Sequence, residues 1–513
     1  MAEEGVVCWG ILGAGNIARR FASSLSNVEA AELVALSCRS ADKAQDFAKE
    51  HGIAPSGALS DELLGRPGAA HEALLADPSV DAVYLSLPHA LHHDWAIRAL
   101  RAGKAVLCEK PACLGVEEAA DVARVARECG SLFMEGMKAR FTPCYRTVCE
   151  LVDKGEIGDV VRVETILCND MRELVRSGKT YHSNPVGGGV LLDCGIYCAS
   201  WLDDFLPAGE AQVTAFAGFA NDQGIDMYAS ATLEVAGLSA TLECAFDRAK
   251  PRQAVLVGTR GRVVIEELHR CQRATVYADG CEPRVIDAPY EVDDFYGETL
   301  HFTKLVAAGA EESDVMPLQA TVRCVRIVDA VKARFSLGRD ALRALEVQEG
   351  ALRWHGEFTS SDALELGNAV ARLSREYDRG VTVRVVREPD GLAMFEWAAD
   401  DKAPRNQEFA QGKRRASLAC GHSSLWADVA HEVDGSFQDL VDRSTPDKFG
   451  TPEFACPVAG AFPIRDERGT LLATLCVSGL HEGLDHELAV RALAEAEGKE
   501  CGRDVPVYAW LAR

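Results

Sequence analysis

Short apolar runs separated by amphipathic segments make up the first 134 residues of the chain. The apolar runs predict buried strands at residues 6–12, 33–38, 82–87, 105–108 and 132–134. Helical periodicity between them predicts helices at residues 16–25, 41–51, 92–101 and 116–129. Because buried strands that alternate with helices form parallel sheets, this region is predicted to be a doubly wound α/β domain.

The pattern changes after Arg140. Apolar and polar residues alternate along predicted strands at 160–167, 212–219, 227–235, 239–246, 254–258 and 262–266. Helices are predicted before them at 144–154 and after them at 297–307 and 318–334, where Ser336-Leu337-Gly338-Arg339 indicates a helix end. Such a density of half-buried strands predicts an α+β domain with an open, mostly antiparallel sheet.

A third unit follows, predicted to be a separate α+β module. Its helices are predicted at 361–376, with Ser360 or Ser361 as N-cap, and at 404–418 and 484–496. Its strands are predicted at 381–386, 392–396, 459–464 and 471–478. The predicted domains are therefore 1–137, 138–338 and 358–513, with a linker at 339–357. A chain of 513 residues is long enough for several cores.

The composition bears on which partners, which compartment and which kinds of site are expected. A chain with 48% hydrophobic and 26% charged residues is globular, and a net charge of −24 argues against nucleic-acid or anionic-membrane partners. The start, Met1-Ala2-Glu3-Glu4-Gly5, is acidic where a signal peptide is basic, and no apolar stretch reaches the ~20 residues of a membrane span. The eighteen cysteines are scattered without a Cys-x-x-Cys pair. We therefore expect a cytoplasmic protein with free thiols and no metal site.

A glycine-rich turn links the first strand to the first helix. Gly13 permits the tight turn, Gly15 lets a pyrophosphate approach the backbone, and the helix N-terminus favours the phosphate charge. The predicted cofactor contacts here are Gly13, Ala14, Gly15, Asn16 and Ile17.

The end of the second strand has no carboxylate to hold a ribose 2′-hydroxyl, as NAD-binding units usually do. Arg39 and Ser40 stand there instead and suit a 2′-phosphate, so NADP is favoured and NAD stays possible. The alternative is that Arg39 is a surface residue that opens a helix.

Two further motifs carry candidate catalytic residues. Glu109-Lys110-Pro111 ends a strand, where α/β sheets present ligand chemistry, and the proline can form a cis bond. Asp193 and Tyr197 are spaced i, i+4, so a helix would place them on one face. Three preceding glycines would let a cofactor or substrate approach. Tyr197 would transfer a proton if Lys110 lowered its pKa from about 10. The alternatives are a solvated ion pair, a helix cap and a packing tyrosine.

Weaker candidates surround these motifs. Pro88 and His92 follow a strand end and are predicted cofactor contacts, as are Glu109 and Lys110; His92 either faces the nicotinamide or has a structural role. The possible substrate contacts are Arg140, Arg172, Tyr181 and His182. A surface arginine at a domain junction explains Arg140 equally well.

As a set, these motifs resemble the Gfo/Idh/MocA oxidoreductases over roughly residues 5–337, with Lys154-Gly155-Glu156-Ile157-Gly158 as a further match. The resemblance implies a Rossmann domain and an open-sheet domain that act on sugars, cyclitols or diols with NAD(P). It implies that Lys110 and Tyr197 carry proton transfer while Asp193 orients the substrate.

One branch is most similar. Asp-x-Gly-Ile-Tyr-Cys around Tyr197, and Phe133-Met134-Glu135-Gly136-Met137, resemble the dimeric dihydrodiol dehydrogenases and glucose–fructose oxidoreductase. This implies a homo-oligomer, dimer or higher, joined through the open sheets. Pro111-Ala112-Cys113-Leu114 departs from relatives and puts substrate contacts in doubt.

The last unit resembles small GlcG-like, haem-binding-protein-like modules of the haem-degrading type. The matching residues include Ser361-Asp362-Ala363, Gly460-Ala461-Phe462-Pro463-Ile464 and Asp485-His486, whereas Phe409 and Gly412 depart from the pattern. The resemblance implies a profilin-like fold and oligomerisation, with haem only as a speculative ligand. His486 is either a ligand or base, or a structural residue at a helix start.

The leading hypothesis is an NAD(P)-dependent oxidoreductase acting on a CH–OH group of a sugar, cyclitol or vicinal diol. Two alternatives remain: a redox-neutral glycoside-modifying enzyme with tightly held NAD(H), and a dinucleotide- or haem-binding regulatory protein without turnover.

Overall fold

The computed structural model describes residues 5–499 except 208, 222, 389, 435, 481 and 482. At residues 336–338 and 434 it describes the backbone alone. The chain forms two compact units. The first ends at Lys332 and the second begins at Ala333, and Ala217–Phe219 are grouped with the second. Within the described residues, no helix combines the length and apolar character that a membrane crossing needs.

The first unit opens with a six-stranded parallel sheet. Its strands are β1 (Val7–Leu12), β2 (Ala31–Cys38), β3 (Ala58–Ser60), β4 (Ala82–Leu85), β5 (Ala105–Glu109) and β6 (Phe133–Gly136), in the order β3-β2-β1-β4-β5-β6. The helices that follow these strands are α1 (Asn16–Leu25), α2 (Ala41–His51), α3 (Asp61–Leu64), α4 (Ala69–Ala76), α5 (His92–Arg101) and α6 (Val116–Cys129). The strand order reverses between β1 and β4, which is where such sheets bind ligands.

The same unit continues with an eight-stranded mixed sheet. Its strands are β7 (Val160–Cys168), β8 (Gln212–Ala220), β9 (Asp226–Val235), β10 (Leu238–Ala245), β11 (Gln253–Gly258), β12 (Gly261–Glu266), β13 (Arg273–Ala278) and β14 (Arg284–Asp287). The order is β14-β13-β12-β11-β7-β10-β9-β8, and β7 pairs with β10 in parallel. The accompanying helices are α7 (Pro143–Asp153), α8 (Arg172–Arg176), a π-helical turn (Leu191–Gly195), α9 (Ile196–Phe205), α10 (Tyr296–Ala307) and α11 (Leu318–Ala351), whose residues from Ala333 on belong to the second unit.

The second unit is built on a four-stranded antiparallel sheet. Its strands are β15 (Thr382–Arg387), β16 (Ala393–Ala398), β17 (Ala461–Arg465) and β18 (Leu471–Ser478), in the order β16-β15-β18-β17. Its helices are α12 (Ser360–Leu373), α13 (Pro404–Cys420), α14 (Ser424–Asp434), α15 (Gln438–Asp442) and α16 (Leu484–Ala496). Leu366, Val383 and Leu493 belong to one buried core cluster. The predicted fold class, with three sheets in this sequence, is confirmed.

The predicted helix end at Ser336-Leu337-Gly338-Arg339 is wrong, because α11 continues to Ala351 and takes up most of the predicted linker. Gly338 inside a helix costs roughly 1 kcal/mol relative to alanine. Burial of Leu345, and of Ala341 one turn before it, offsets that cost, since a buried leucine contributes about 2 kcal/mol. The finer division into domains stays a prediction.

The predicted N-cap of α12 is also wrong. Thr359, rather than Ser360 or Ser361, accepts the backbone N–H of Asp362, and the Asp362 carboxylate accepts the backbone N–H of Thr359. This reciprocal pair is a capping box, which fixes the first turn of the helix one residue earlier.

Candidate active site

The glycine turn after β1 has the geometry that a dinucleotide phosphate requires. Gly13 has φ +106°, and a Cβ there would lie 2.8 Å from the backbone oxygen of Ser86. A Cβ at Gly15 would meet nothing within 4 Å, so the backbone before α1 faces open space. Free N–H groups at a helix start, with room for a ligand, fit a pyrophosphate.

A cavity of about 530 Å³ extends from this turn toward the end of β2. Arg39, Ser40 and Lys43 line it, and its described lining contains no aspartate or glutamate. The residues present therefore fit a ribose that carries an anionic 2′-substituent.

A second cavity, of about 620 Å³, shares Gly15, Ser86, Leu87 and Pro88 with the first. Its lining also contains Asn16, Ile17, Glu109, Lys110, Asp193 and Tyr197. The structure thus brings together the predicted glycine turn, the Glu109-Lys110-Pro111 strand end and the Asp193/Tyr197 pair.

Lys110 is the centre of this second cavity's charged cluster. Its Nζ donates to Asp193 Oδ1 at 2.7 Å and to the Asp193 backbone oxygen at 2.9 Å, and it lies 4.9 Å from the centroid of the Tyr197 ring. The Lys110–Pro111 peptide bond is cis. Glu109 accepts a hydrogen bond from Tyr84 OH and another, at 3.2 Å, from the backbone N–H of Lys110. The lysine, the aspartate and the tyrosine therefore form one compact group.

Asp193 lies in a π-helical turn, not in the regular helix that its spacing to Tyr197 suggested. Asp226 fixes the start of this turn, because its carboxylate accepts the Leu191 N–H at 2.7 Å. Such π turns occur frequently at functional sites because they redirect one side chain.

The three glycines before the turn act differently from the prediction. Gly187–Gly189 do not line either cavity. A Cβ at Gly188 would lie 2.4 Å from Asn184 O, and one at Gly189 would lie 1.9 Å from Asp226 Oδ1. The glycines are needed because the protein's own backbone and Asp226 occupy that space, not because a ligand approaches there.

The protonation states differ across the cluster. Burial opposes ionisation of Asp193, but Lys110 and His182 outweigh it and hold the pKa of the carboxyl well below its usual range. Burial, followed by the charges of Glu109 and Glu298, raises the pKa of Tyr197 above its ordinary value. The expectation that Lys110 lowers this pKa is therefore corrected, since burial and nearby carboxylates outweigh the lysine.

Tyr181 and His182 reach the same aspartate from a 3₁₀ turn (Tyr181–Ser183). Tyr181 OH donates to Asp193 Oδ1 at 3.2 Å, and His182 Nε2 lies 3.5 Å from Oδ2. Tyr181 lines the cavity, whereas His182 is nearly buried behind Asp193. His182 therefore supports the carboxylate more directly than it reaches the cavity.

His92 has a structural role. Its ring is fully buried, and its two nitrogens lie 2.8 Å from Pro111 O and 2.7 Å from Leu87 O. Burial lowers the pKa of His92, so the neutral ring donates to one of these two carbonyl oxygens, and both nitrogens face backbone. His92 lines the second cavity but holds its loops in place rather than presenting a nitrogen to the nicotinamide.

Arg140 does not line the cavity, which corrects its assignment as a substrate contact. Its guanidinium is 2% exposed and forms ion pairs of 3.0 Å with both Asp203 and Asp204. Its Nε also donates to Ser200 Oγ at 2.8 Å. A side chain enclosed in this way stabilises α9 and cannot reach a ligand.

Arg172 also lies outside the cavity. It is exposed and pairs with Asp170 two residues earlier. This arrangement is that of a surface ion pair, which contributes little to stability.

Several cavity residues were not predicted. They lie on separate elements and are Arg20, His89, Lys138, Leu167, Asn169, Cys194, His269 and Phe295. Lys138 Nζ bonds to Asp294 Oδ2 at 2.6 Å and lies 4.7 Å from the Phe295 ring centroid. Cys194 stands inside the motif that carries Asp193 and Tyr197, and Lys138 stands two residues before Arg140, so both had a sequence signal nearby. No local motif marks most of the others, because the fold brings them together from distant positions.

In the second unit, His486 lies in the first turn of α16 and is fully buried. Its Nε2 is 2.8 Å from Gln348 Oε1, and its ring packs against Phe462. Burial lowers the pKa of His486 to about 4. Because the ring is enclosed in the core and its Nε2 is taken by Gln348, His486 offers no accessible nitrogen to a haem iron, and we assign no haem chemistry to this residue.

Three family models match the chain. The oxidoreductase family with an NAD-binding Rossmann fold matches residues 7–137, and the GFO/IDH/MocA C-terminal domain matches residues 145–264. The haem-degrading protein HbpS-like family matches residues 358–494. The two predicted resemblances are therefore confirmed.

Among curated proteins, the chain is similar to D-xylose 1-dehydrogenase (NADP(+)) 2 of Haloferax volcanii, with 31% identity over 333 residues, 63% of this chain and 95% of that protein. It is 29% identical to trans-1,2-dihydrobenzene-1,2-diol dehydrogenase of Mus musculus over 64% of this chain and 96% of the relative. Among solved structures, a 3-ketoreductase from Actinomadura kijaniata in complex with NADP and TDP-benzene matches with a TM-score of 0.55 and 26% identity. That match covers 64% of this chain and 98% of the other.

Proposed function

The chain belongs to the Gfo/Idh/MocA oxidoreductase family, and from this premise we propose that it is an NAD(P)-dependent dehydrogenase or reductase of a sugar, cyclitol or vicinal diol. The observation that carries the proposal is the Lys110–Asp193 ion pair beside Tyr197. This pair lines the second cavity, which shares residues with the cavity that extends from the glycine turn. When bound, the nicotinamide supplies or accepts the hydride.

The side chains of the protein carry out the proton transfer. Because burial and carboxylates raise the pKa of Tyr197, its hydroxyl is protonated at neutral pH and ready to donate to the oxygen of a carbonyl substrate. Donation leaves a tyrosinate, and the Lys110 ammonium 4.9 Å from the ring stabilises that charge. The oxidation direction is the reverse of this step: Tyr197 must first have lost its proton, which its raised pKa allows only at alkaline pH, and the tyrosinate then takes the proton from the substrate hydroxyl. Asp193 holds Lys110 in place and presents an acceptor to the substrate.

NADP is the proposed cofactor. Arg39, Ser40 and Lys43 line the cavity at the end of β2, and the similar xylose dehydrogenase and 3-ketoreductase carry NADP in their names or complexes. A charge-assisted contact to a phosphate contributes about 1.5–3 kcal/mol, which is roughly tenfold or more in affinity. We therefore expect Arg39→Ala to raise the Kd for NADPH at least tenfold and that for NADH less than threefold, measured by nicotinamide fluorescence.

Isotope transfer tests the reaction itself. The full chain is incubated with NADPH deuterated at nicotinamide C4 and a panel of ketoses, inososes and hydroxyketones. We expect a product with deuterium on the new carbinol carbon. Deuterium retained on a dinucleotide that never leaves the protein would support the redox-neutral alternative. Binding without any turnover would overturn the enzyme proposal and favour a regulatory protein.

We also propose a cytoplasmic homo-oligomer. The seventeen cysteines in the described residues are all free thiols, as a reducing compartment allows. The mass of the intact protein by light scattering tests the oligomer, because a monomer mass of 55.3 kDa at micromolar concentration would contradict it.

A further inference from the structure

The proposed active site contains a histidine that no sequence motif indicated. His269 follows strand β12 and lines the same cavity as Tyr197. The two rings meet edge to face with their centroids 5.8 Å apart. His269 therefore lies beside the proposed proton donor.

The loop that carries His269 is tied to the helix that carries Tyr197. Trp201, one turn after Tyr197 in α9, donates from Nε1 to the Leu268 backbone oxygen at 3.0 Å. This bond sets the separation between the imidazole and the tyrosine. Small displacements of a contact residue cost much in catalysis, so such an anchor is useful at a binding site.

The same loop contains backbone strain. Glu267 has φ +51°, a left-handed conformation that costs a residue with a side chain about 1 kcal/mol or more. Its carbonyl oxygen accepts the backbone N–H of Arg270 at 2.7 Å, which closes a tight turn around His269. Strain of this kind is retained at sites where a side chain must be held in one position.

The imidazole is uncharged at neutral pH. Burial, together with surrounding cations, lowers its pKa to about 3. These cations are, from the largest effect, Lys138, Arg270, Arg252 and Lys110. A neutral imidazole offers one N–H donor and one acceptor. Its Nδ1 is buried and has no hydrogen-bond partner among the described residues.

The cavity offers no spare positive charge to a substrate. Lys110 pairs with Asp193, Lys138 and Arg20 share the one carboxylate of Asp294, and Glu109 in the lining is a third carboxylate. The three cations are the lysine and arginine side chains that line the cavity in the described part of the chain. A substrate carboxylate or phosphate would therefore meet cations whose charge is already balanced, whereas hydroxyl groups would meet neutral donors and acceptors.

We propose that His269 is a specificity residue that binds the hydroxyl group next to the reacting carbon of an uncharged polyol. The inference rests on the proposed function and deepens it, because it names the side chain that binds the neighbouring hydroxyl and the ion pairs that favour an uncharged substrate. The imidazole exchanges a hydrogen bond with that hydroxyl while Tyr197 handles the proton of the reacting oxygen.

The test compares two alcohols of equal ring size, a cyclic vicinal diol and the cyclic monoalcohol, in the full chain and in His269→Ala. We expect the variant to lose about tenfold in kcat/KM for the diol, mainly through KM, because one hydrogen bond is lost. The monoalcohol should change less than threefold, and the Kd for NADPH should be unchanged. His269→Gln, which keeps a donor and an acceptor, should recover part of the loss.

Arg270→Ala is the matched control, since Arg270 is exposed on the same loop and does not line the cavity. It should leave both alcohols unchanged. Equal losses on the diol and the monoalcohol in His269→Ala would overturn the inference, as would an unchanged diol KM. A polyol phosphate used as well as the parent polyol would also contradict it. Failure of the proposed function is distinct, because the unaltered chain would then turn over neither alcohol.

Discussion

Lys110–Asp193 in the first unit and Lys413–Asp485 in the second are both nearly buried Lys–Asp pairs, and the two differ in what surrounds them. Lys110 and Asp193 are 2.7 Å apart with 11% and 13% of their side chains exposed, while Lys413 and Asp485 are 2.6 Å apart with 5% and 6% exposed. In both pairs the aspartate belongs to the start of a helix. The charge chemistry is therefore almost the same.

The remaining partners separate the two pairs. Lys413 also donates to Val477 O at 3.1 Å, and Asp485 accepts the backbone N–H groups of Gly479 and Leu480. The second pair thus closes the end of strand β18 onto α16. The Lys110–Asp193 pair instead lines a cavity beside Tyr197. An ion pair becomes a candidate for catalysis through its access to a ligand, not through its own geometry.

The largest expected effect comes from breaking the first pair. Lys110→Met removes the cation that stabilises a Tyr197 anion, so kcat should fall about 10²- to 10⁴-fold, the usual contribution of acid–base catalysis. NADPH consumption measures the rate, and circular dichroism checks that the variant is folded. Lys413→Met is the control in the second unit and should leave kcat within threefold. Equal rate losses in both variants would remove the distinction between the pairs.

Breaking the second pair should affect stability instead. Asp485→Asn leaves a buried ammonium without its partner, which costs about 3–5 kcal/mol. We expect faster hydrogen exchange in strands β17 and β18 and unchanged exchange in β1, β4 and β5, followed by mass spectrometry. Unchanged exchange throughout would show that the pair does not hold the second unit together.

Acid should destabilise the second unit through His486. Its pKa of about 4 in the folded protein lies below the ordinary 6.5, so the unfolded chain binds the proton first. Stability is therefore lost as the pH falls from about 6.5 to about 4, by up to about 3 kcal/mol. Hydrogen exchange of β18 across this range should show the loss, and His486→Gln should flatten it. An equally steep slope in the variant would assign the acid sensitivity to other groups.

The sequence predicted the fold best where the periodic segments are long. The helices from Ala41 to His51 and from Val116 to Cys129 match the prediction at both ends, and a glycine in left-handed conformation stops each of them at its C-terminal end. The three-residue strand β3 and the five-residue helix α15 were missed, because elements this short do not complete a period.

The site was predicted where its chemistry is local. Lys110, Asp193 and Tyr197 stand in short motifs, so their types and spacing were enough to bring them together. His269 was missed and Arg140 misplaced, because each depends on contacts between distant segments. The three glycines show the same limit, since only the structure reveals that Asp226 fills the space beside Gly189.

The central claim is that Tyr197 moves the proton while Lys110 and Asp193 support it. The most direct test is Tyr197→Phe, which removes one hydroxyl and preserves the ring in its buried position. NADPH binding, followed by nicotinamide fluorescence, should stay within threefold of the unaltered chain, and kcat on a polyol or its ketone should fall at least a hundredfold. Retained turnover in the variant would contradict the account.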